Sequence, residues 1–512
     1  VQPIYLFLFS AVSKPHENGM RFKRMLALIT GFSLVALSGC AARRMRSDFI
    51  GFEKVYADTS NREVLLNLAR LQNHDTTYFF KLGQISSSYR MQATLTGTGN
   101  YVTQGTGTNG NAIGGGAPGL LYENDPSFTF IPVNDETSAQ LLLKPIPAQT
   151  LYNLYLQGWR VDQLFRLMVD RIELTTPSSD GKSCTVQTIR NVPPPKPKTA
   201  DTDQRNYLRQ ASSYATFLRV SALVYGLQKR GYLKLRGTTT FVRFDDKSWI
   251  PVEPPSPGKP DGAAPAKGGA STPGAGDFAA AAAKDESWRL VDGQWVLGQQ
   301  VTGAEFYLTS PAEQAALKDA KDPYQAMKED ILSDDDLKGL EVGEGPDRVL
   351  GILANGFSIE DTPGSSGTVD TSCGPGKAKI ASTHLVLRSL IGLMAAAAQE
   401  EDAFDPLLAN THVLPPANAG DKPLTFADAV PPIERIPALR LQWASGDKAG
   451  PSLVQVSYGG KNYMIADAGT PLTDQNQYWN RDMFRLVNEL TAQVTVDISK
   501  FPLPGIVNLH TN

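Results

Sequence analysis

Residues 202–229 read TDQRNYLRQASSYATFLRVSALVYGLQK, and this stretch sets the fold class. Tyr207, Tyr214, Phe217, Leu218, Leu223 and Leu227 recur at helical spacing, so one face is apolar and must be buried. Gly231 follows as a C-cap, where a left-handed residue closes the last turn. Immediately afterwards, Tyr232–Leu235 and Thr239–Phe244 turn to the β-branched and aromatic composition of strands. A long amphipathic helix that hands over to strands within a few residues predicts an α+β chain, with amphipathic helices packed on antiparallel hairpins.

The flanks extend that pattern. Towards the N-terminus, Ser60-Asn61-Arg62-Glu63 has capping-box spacing, and Val64, Leu65, Leu68 and Leu71 follow on one helical face. From Thr77 to Leu95 the chain becomes strand-like. A Gly/Asn/Thr loop over 104–119 and the strand-like Ser127–Val133 then predict a long hairpin with a flexible tip. Ala148–Gln157 and Val161–Ile172 carry helical spacing, interrupted at Gly158-Trp159, and Pro193–Pro197 reads as a stiff surface linker. Towards the C-terminus, Pro251–Lys284 is dominated by Pro, Gly and Ala and predicts an exposed disordered insert. Asp292-Gly293 marks a tight turn between strands. Ala312–Asp336, Ser382–Glu401 and Asn480–Gln493 read as helices, with a hairpin over Leu453–Ile465 before the last. The segmentation that results is 1–39 (export signal with an upstream extension), 40–190 (α+β with the long hairpin), 191–250 (helix and strands continuing the core), 251–286 (disordered linker) and 287–512 (a C-terminal α+β domain).

Composition excludes several classes. A chain of 512 residues with a formal net charge of −3 lacks the basic excess of a nucleic-acid binder. Three Cys and five His leave no disulfide-dense scaffold and no visible metal-ligand spacing; outside residues 1–39 the histidines are His74, His384, His412 and His510, each isolated. Gly105–Gly110 matches G-x-G-x-x-G, but a polar glycine-rich stretch follows where a helix must open, so no nucleotide site is expected. Gly181-Lys182-Ser183 lacks the glycine cradle of a phosphate loop and reads as a hairpin turn. Asp334-Asp335-Asp336 lacks the spacing of a calcium loop. No catalytic motif and no cofactor is expected from the chain.

The N-terminal region carries the clearest functional pattern. Met20–Cys40 reads MRFKRMLALITGFSLVALSGC: Arg21, Lys23 and Arg24 precede an uncharged run, Met25–Leu37, of 13 residues. A bilayer span needs about 20 apolar residues, whereas a run of this length fits the apolar region of a secretory signal. It ends in Leu37-Ser38-Gly39-Cys40, which resembles the lipobox of bacterial lipoproteins, and the resemblance implies acylation of Cys40 after cleavage on its N-terminal side. Ala41, with no Asp at that position, resembles lipoproteins sorted to the outer membrane. Val1–Gly19 then precede the natural start at Met20. Arg43, Arg44 and Arg46 would sit at the lipid surface. Cys184 and Cys373 remain, and an oxidising compartment permits a disulfide between them.

NREVLLNLARLQNHDTTYFFKLGQISSSY, SFTFIPVNDETSAQLLLKPIPAQTLYNLYLQGW and LVLRSLIGLM resemble a family of uncharacterised Gram-negative envelope proteins, which implies an evolved fold and carries no functional residue. The expectation is a lipid-anchored protein at the periplasmic face of the outer membrane, with a structural, scaffolding or assembly role and envelope proteins as partners. A second reading, built on the long hairpin, is a subunit of an oligomeric outer-membrane export or pore complex. A third, cell-wall or polysaccharide hydrolysis, needs two facing carboxylates assembled in space.

Overall fold

The structure, a computed structural model, describes residues 49–95, 118–132, 142–177, 184–195, 201–245, 248–252, 273–282, 286–291, 294–308, 357–360, 382–415, 424–444, 452–466 and 474–496, and the single positions 140, 333 and 335. The chain divides into two units, Val1–Arg62 and Glu63–Asn512. In the first, residues 49–62 are helical. Ser60-x-x-Glu63 therefore does not start a helix: no breaker interrupts 49–59 and the helical backbone is already formed there.

The helical run continues without a break into the second unit as α1 (63–72), in which Val64, Leu65 and Leu68 are buried as the spacing requires. Strands β1 (Phe80–Leu95) and β2 (Pro118–Pro132) form the expected hairpin, paired antiparallel from Phe80↔Pro132 to Leu95↔Pro118 with a bulge between Leu82 and Gln84. Among the described residues this ribbon is a two-stranded sheet of its own. Helices α2 (Ala148–Leu156) and α3 (Val161–Met168) follow, then β3 (Val169–Pro177) and β4 (Cys184–Arg190), the long helix α4 (Asp201–Lys229), and β5 (Leu233–Asp245) with β6 (Ser248–Val252). Next come α5 (Ala275–Ala282), β7 (Glu286–Val291), β8 (Gln294–Leu308), β9 (Phe357–Glu360), β10 (Ser382–Leu387), α6 (Leu390–Leu408) and α7 (Phe426–Ala429). The chain then runs through β11 (Leu441–Ala444), β12 (Ser452–Tyr458), β13 (Lys461–Ala466) and α8 (Trp479–Val496).

An eight-stranded sheet in the order β4-β3-β10-β9-β8-β5-β6, with β7 paired to β8, dominates the unit, and β11-β13-β12 make a small third sheet. All pairs in the large sheet are antiparallel except β9 with β10. Strands from residues 40–190, 191–250 and 287–512 share this sheet, so 191–250 continues the core of the segment before it. Helix α4 packs against α3 and β4, and α2 against β5 and β8. One continuous apolar core results, in which Phe165, Tyr214, Phe217, Phe306 and Trp479 are fully buried. Phe306 meets Tyr155 and Phe165 edge-on, with ring centroids 5.6 Å apart in both pairs.

Several local expectations are corrected. The helix read over 161–172 stops at Met168, because Ile172 and Leu174 are buried while the alternating Arg171 and Glu173 are only half-buried, a period of two. Ser382–Leu387 is strand and not helix; it pairs with β3, and the helix begins after Ser389, whose hydroxyl accepts the Gly392 N–H at 3.1 Å. The two strands read within 232–244 are one strand, β5. Within the insert read as disordered, Ala275–Ala282 is helical, with Ala281 buried and Phe278 edge-on to Trp295 at 5.6 Å; alanine is the best helix former. Pro193 and Pro194 are buried, so the linker begins inside the body. The tip of the β1–β2 hairpin, the residues of 253–272 and the helix expected over 312–336, apart from Ser333 and Asp335, lie outside the described residues.

Gly231 adopts φ +75° after α4, as expected of a left-handed cap. Gly303 in β8 serves a different need: a Cβ there would meet the Ile359 carbonyl oxygen at 2.6 Å and the Thr238 hydroxyl at 2.8 Å. Gly303→Ala is expected to destabilise the fold by about 1–3 kcal/mol, as overpacking against backbone does. A urea titration checks this, and a midpoint equal to that of the parent would contradict it.

Candidate functional site, a buried arginine shared by two glutamates

Most of the titratable chemistry buried in the described residues gathers around Arg166. Helix α3, VDQLFRLM, is buried on every side, so its one arginine has no route to water. Its Nη1 donates to Glu434 Oε2 at 2.8 Å, and its Nη2 donates to Glu400 Oε1 at 2.5 Å and to the Ile436 carbonyl at 2.9 Å. The Tyr214 hydroxyl of α4 donates to Glu400 Oε1 at 2.6 Å, and the Ala438 N–H reaches the same oxygen at 3.2 Å. Tyr214 in turn stacks on Phe426 at 6.0 Å and meets Phe404 edge-on at 6.3 Å. Four chain segments, α3, α4, α6 and the 3₁₀ turn Pro432–Glu434, thus converge on one guanidinium.

Burial disfavours the Arg166 charge, but Tyr214, Glu400 and Glu434 outweigh it and hold its pKa above the ordinary arginine value. Burial pushes the Tyr214 hydroxyl well up, only partly offset by Arg166. Burial also raises Glu434 from the ordinary 4.5 to about 7, with Asp162 adding repulsion and Arg166 opposing both. Asp162 is itself buried and paired with Arg160, at 2.5 Å between Nη2 and Oδ2. The Arg160 guanidinium stacks over Tyr225 at 4.3 Å and Trp479 at 5.1 Å and donates to the Gln475 carbonyl at 2.5 Å.

The end of α3 is closed from a distance. Asn191 Nδ2 donates to the carbonyls of Phe165, Arg166 and Val169 at 3.2, 2.8 and 2.7 Å. Arg388 donates to the carbonyls of Arg166 and Leu167 at 3.1 Å each, and to that of Asn191. Burial lowers the Arg388 pKa. Carbonyls that a helix end leaves without partners are thus satisfied by side chains from two other parts of the sequence.

Nearer the surface, Arg440 bridges Glu401 and Asp405 at 2.8 and 2.9 Å. Burial raises Glu401 to about 7 in spite of Arg440. Two carboxylates do face one centre at Arg166, as a hydrolase requires, but both are buried and engaged by the same guanidinium. This geometry ties segments together. It presents no reacting oxygen to a substrate.

Of the residues singled out from sequence, Cys40, Arg43, Arg44, Arg46 and Cys373 lie outside the described residues, and Cys184 opens β4 opposite Pro177. Gly105–Gly110 and Gly181–Ser183 also lie outside them, although the strands flanking the latter pair antiparallel as a hairpin. His74 takes the left-handed conformation, φ +61°, just after α1. His412 is exposed. His384 Nδ1 lies 3.2 Å from Ser358 Oγ across the parallel β9–β10 pair. Among the described residues no group of three His, Cys, Asp or Glu is arranged to hold a metal ion. Sequence reasoning missed the Arg166 centre. Its one trace was a charge set within Leu164, Phe165, Leu167 and Met168. Compared with known protein families, curated proteins and solved structures, the chain matches none.

Removing the buried cation strands two glutamates. Arg166→Met is expected to cost about 3–5 kcal/mol of stability, read from denaturant midpoints. The raised Glu434 and Glu401 bind protons in the folded state that the unfolded chain has released. Their contribution is therefore full below 4.5 and is lost as pH rises through about 7. In Glu434→Gln the fall in Tm between pH 5 and pH 8 should be shallower than in the parent; an equal or steeper fall would refute the assignment.

Proposed function

We propose that this chain is a lipid-anchored envelope protein with a structural, scaffolding or assembly role at the periplasmic face of the outer membrane. The observation that carries the reading is the joint pattern of Met20–Cys40: three basic residues, an apolar run too short to span a bilayer, and Leu37-Ser38-Gly39-Cys40 at its end. Acyl chains at Cys40 would fix the chain to the membrane, each buried CH₂ contributing about 0.8 kcal/mol. No described helix is long and apolar enough to cross a membrane. The buried ionic centre fits a role in which the chain keeps a fixed shape and presents surfaces to envelope partners.

The β1–β2 ribbon supports a second reading, a subunit of an oligomeric outer-membrane export or pore complex. Among the described residues no third strand pairs with it. An isolated two-stranded ribbon is marginal in water, and neighbouring copies are one way to complete it.

Labelled palmitate is expected to enter the chain, and Cys40→Ala to move it from the membrane to the soluble fraction. An unlabelled chain, or fractionation unchanged by that substitution, overturns the anchored reading. Native mass after mild detergent extraction then separates the two roles: a ring-sized homo-oligomer favours the pore, and a monomer or heteromer favours the scaffold.

A further inference from the structure

Residues 49–62, FIGFEKVYADTSNR, belong to a helix that runs on to residue 72, and their two sides differ in chemistry. At helical spacing Val55, Thr59, Phe52, Tyr56 and Phe49 fall in an arc of about 120°, Lys54, Asp58 and Asn61 fall on the other side, and Arg62 and Glu53 flank the two edges of the arc. Phe49, Val55 and Tyr56 are 67%, 60% and 50% exposed, while Ile50 is exposed on the other side. Three large apolar side chains exposed on one arc within eight residues make a patch, whereas exposed apolar residues standing singly need no explanation. At the border of that arc Asp58 and Arg62 pair at 3.0 Å, both well exposed.

What covers the apolar side follows from where the helix sits in the chain. Eight residues, 41–48, separate Phe49 from Cys40. Fully extended they reach about 28 Å, so acyl chains at Cys40 would keep the helix beside the bilayer. Arg43, Arg44 and Arg46 in that tether favour an anionic leaflet. No described helix is long and apolar enough to cross a membrane, and this stretch carries Glu53, Lys54, Asp58 and Arg62. Such a helix lies in the interface and does not cross it. Phe and Tyr with a charged opposite face are the composition of an interfacial helix.

Resting on the lipid-anchored reading, we propose that helix 49–62 lies along the membrane surface, with Phe49, Phe52, Val55 and Tyr56 in the interfacial lipid. The anchor is then a two-part device. Acyl chains hold the chain to the membrane, and the helix fixes the direction in which it leaves the lipid.

The test uses the full acylated chain with Cys184 and Cys373 changed to Ser, carrying an environment-sensitive dye at Thr59→Cys or at Lys54→Cys. It is reconstituted in vesicles of phosphatidylethanolamine and phosphatidylglycerol. At position 59, on the apolar arc but outside the proposed contacts, emission should shift to the blue and iodide quenching fall about tenfold. At position 54 both should match the protein in water. The double variant Phe49→Ser/Tyr56→Ser should abolish the difference. Equal quenching at 59 and 54 in a protein that carries palmitate overturns the helix proposal and leaves the anchor standing. Protection at 59 that persists without vesicles also overturns it, since protein and not lipid then covers the face. If palmitate is absent, the anchored reading fails by itself. The same labelled pair, added to vesicles without acyl chains, then decides the helix: a shift at 59 alone supports its lipid contact, and no shift rejects it.

Discussion

The interior of this protein is organised by one charge that has nowhere else to go. Arg166 sits in a helix buried on all sides, so its guanidinium must be matched within the protein or the helix cannot be buried. Glu400 and Glu434 supply the match from positions 234 and 268 residues away. The apolar contacts around them are permissive of many packings. The requirement that two particular carboxylates meet one particular cation admits few, and it brings α3, α4, α6 and the Pro432–Glu434 turn to a common point.

That centre also explains details at its margins. Helix α3 is short because its last carbonyls are taken by Asn191 and Arg388. Arg160 and Asp162 hold the opposite end of α3 and tie it to Trp479 at the start of α8. The two ends and the middle of a single eight-residue helix are thus each fixed by polar contacts to sequence far away. Burial sets the direction of the shift at Tyr214 and Glu434, whereas at Arg166 its neighbours together overcome it.

How much of this could be read from the sequence depended on range. Asp201–Lys229 was legible because its apolar residues repeat at 3.6 and glycine follows; the long hairpin and the Leu453–Ile465 hairpin were legible from alternation and turn residues. The end of α3 was not, since Val169–Ile172 fits either period and side chains more than twenty residues distant decide between them. Ser382–Leu387 was mistaken for helix because its apolar run is short and pairing with β3, not local propensity, makes it a strand. The Arg166 centre was illegible for a related reason: Glu400 follows Gln399 in a helix and Glu434 lies between prolines and an arginine, and nothing local marks either as a partner.

The order of strands in the large sheet has a consequence for how the molecule comes into being. Strand β3 finds its neighbour β10 only after some two hundred intervening residues have been synthesised, and the β9–β10 pair next to it is parallel. Closing such long loops before any reward is gained makes folding slow. The nascent polypeptide therefore spends its early life with the edge of β3 bare and Arg166 unmatched, a state prone to self-association. A chain built this way acquires its shape only once the last third has arrived.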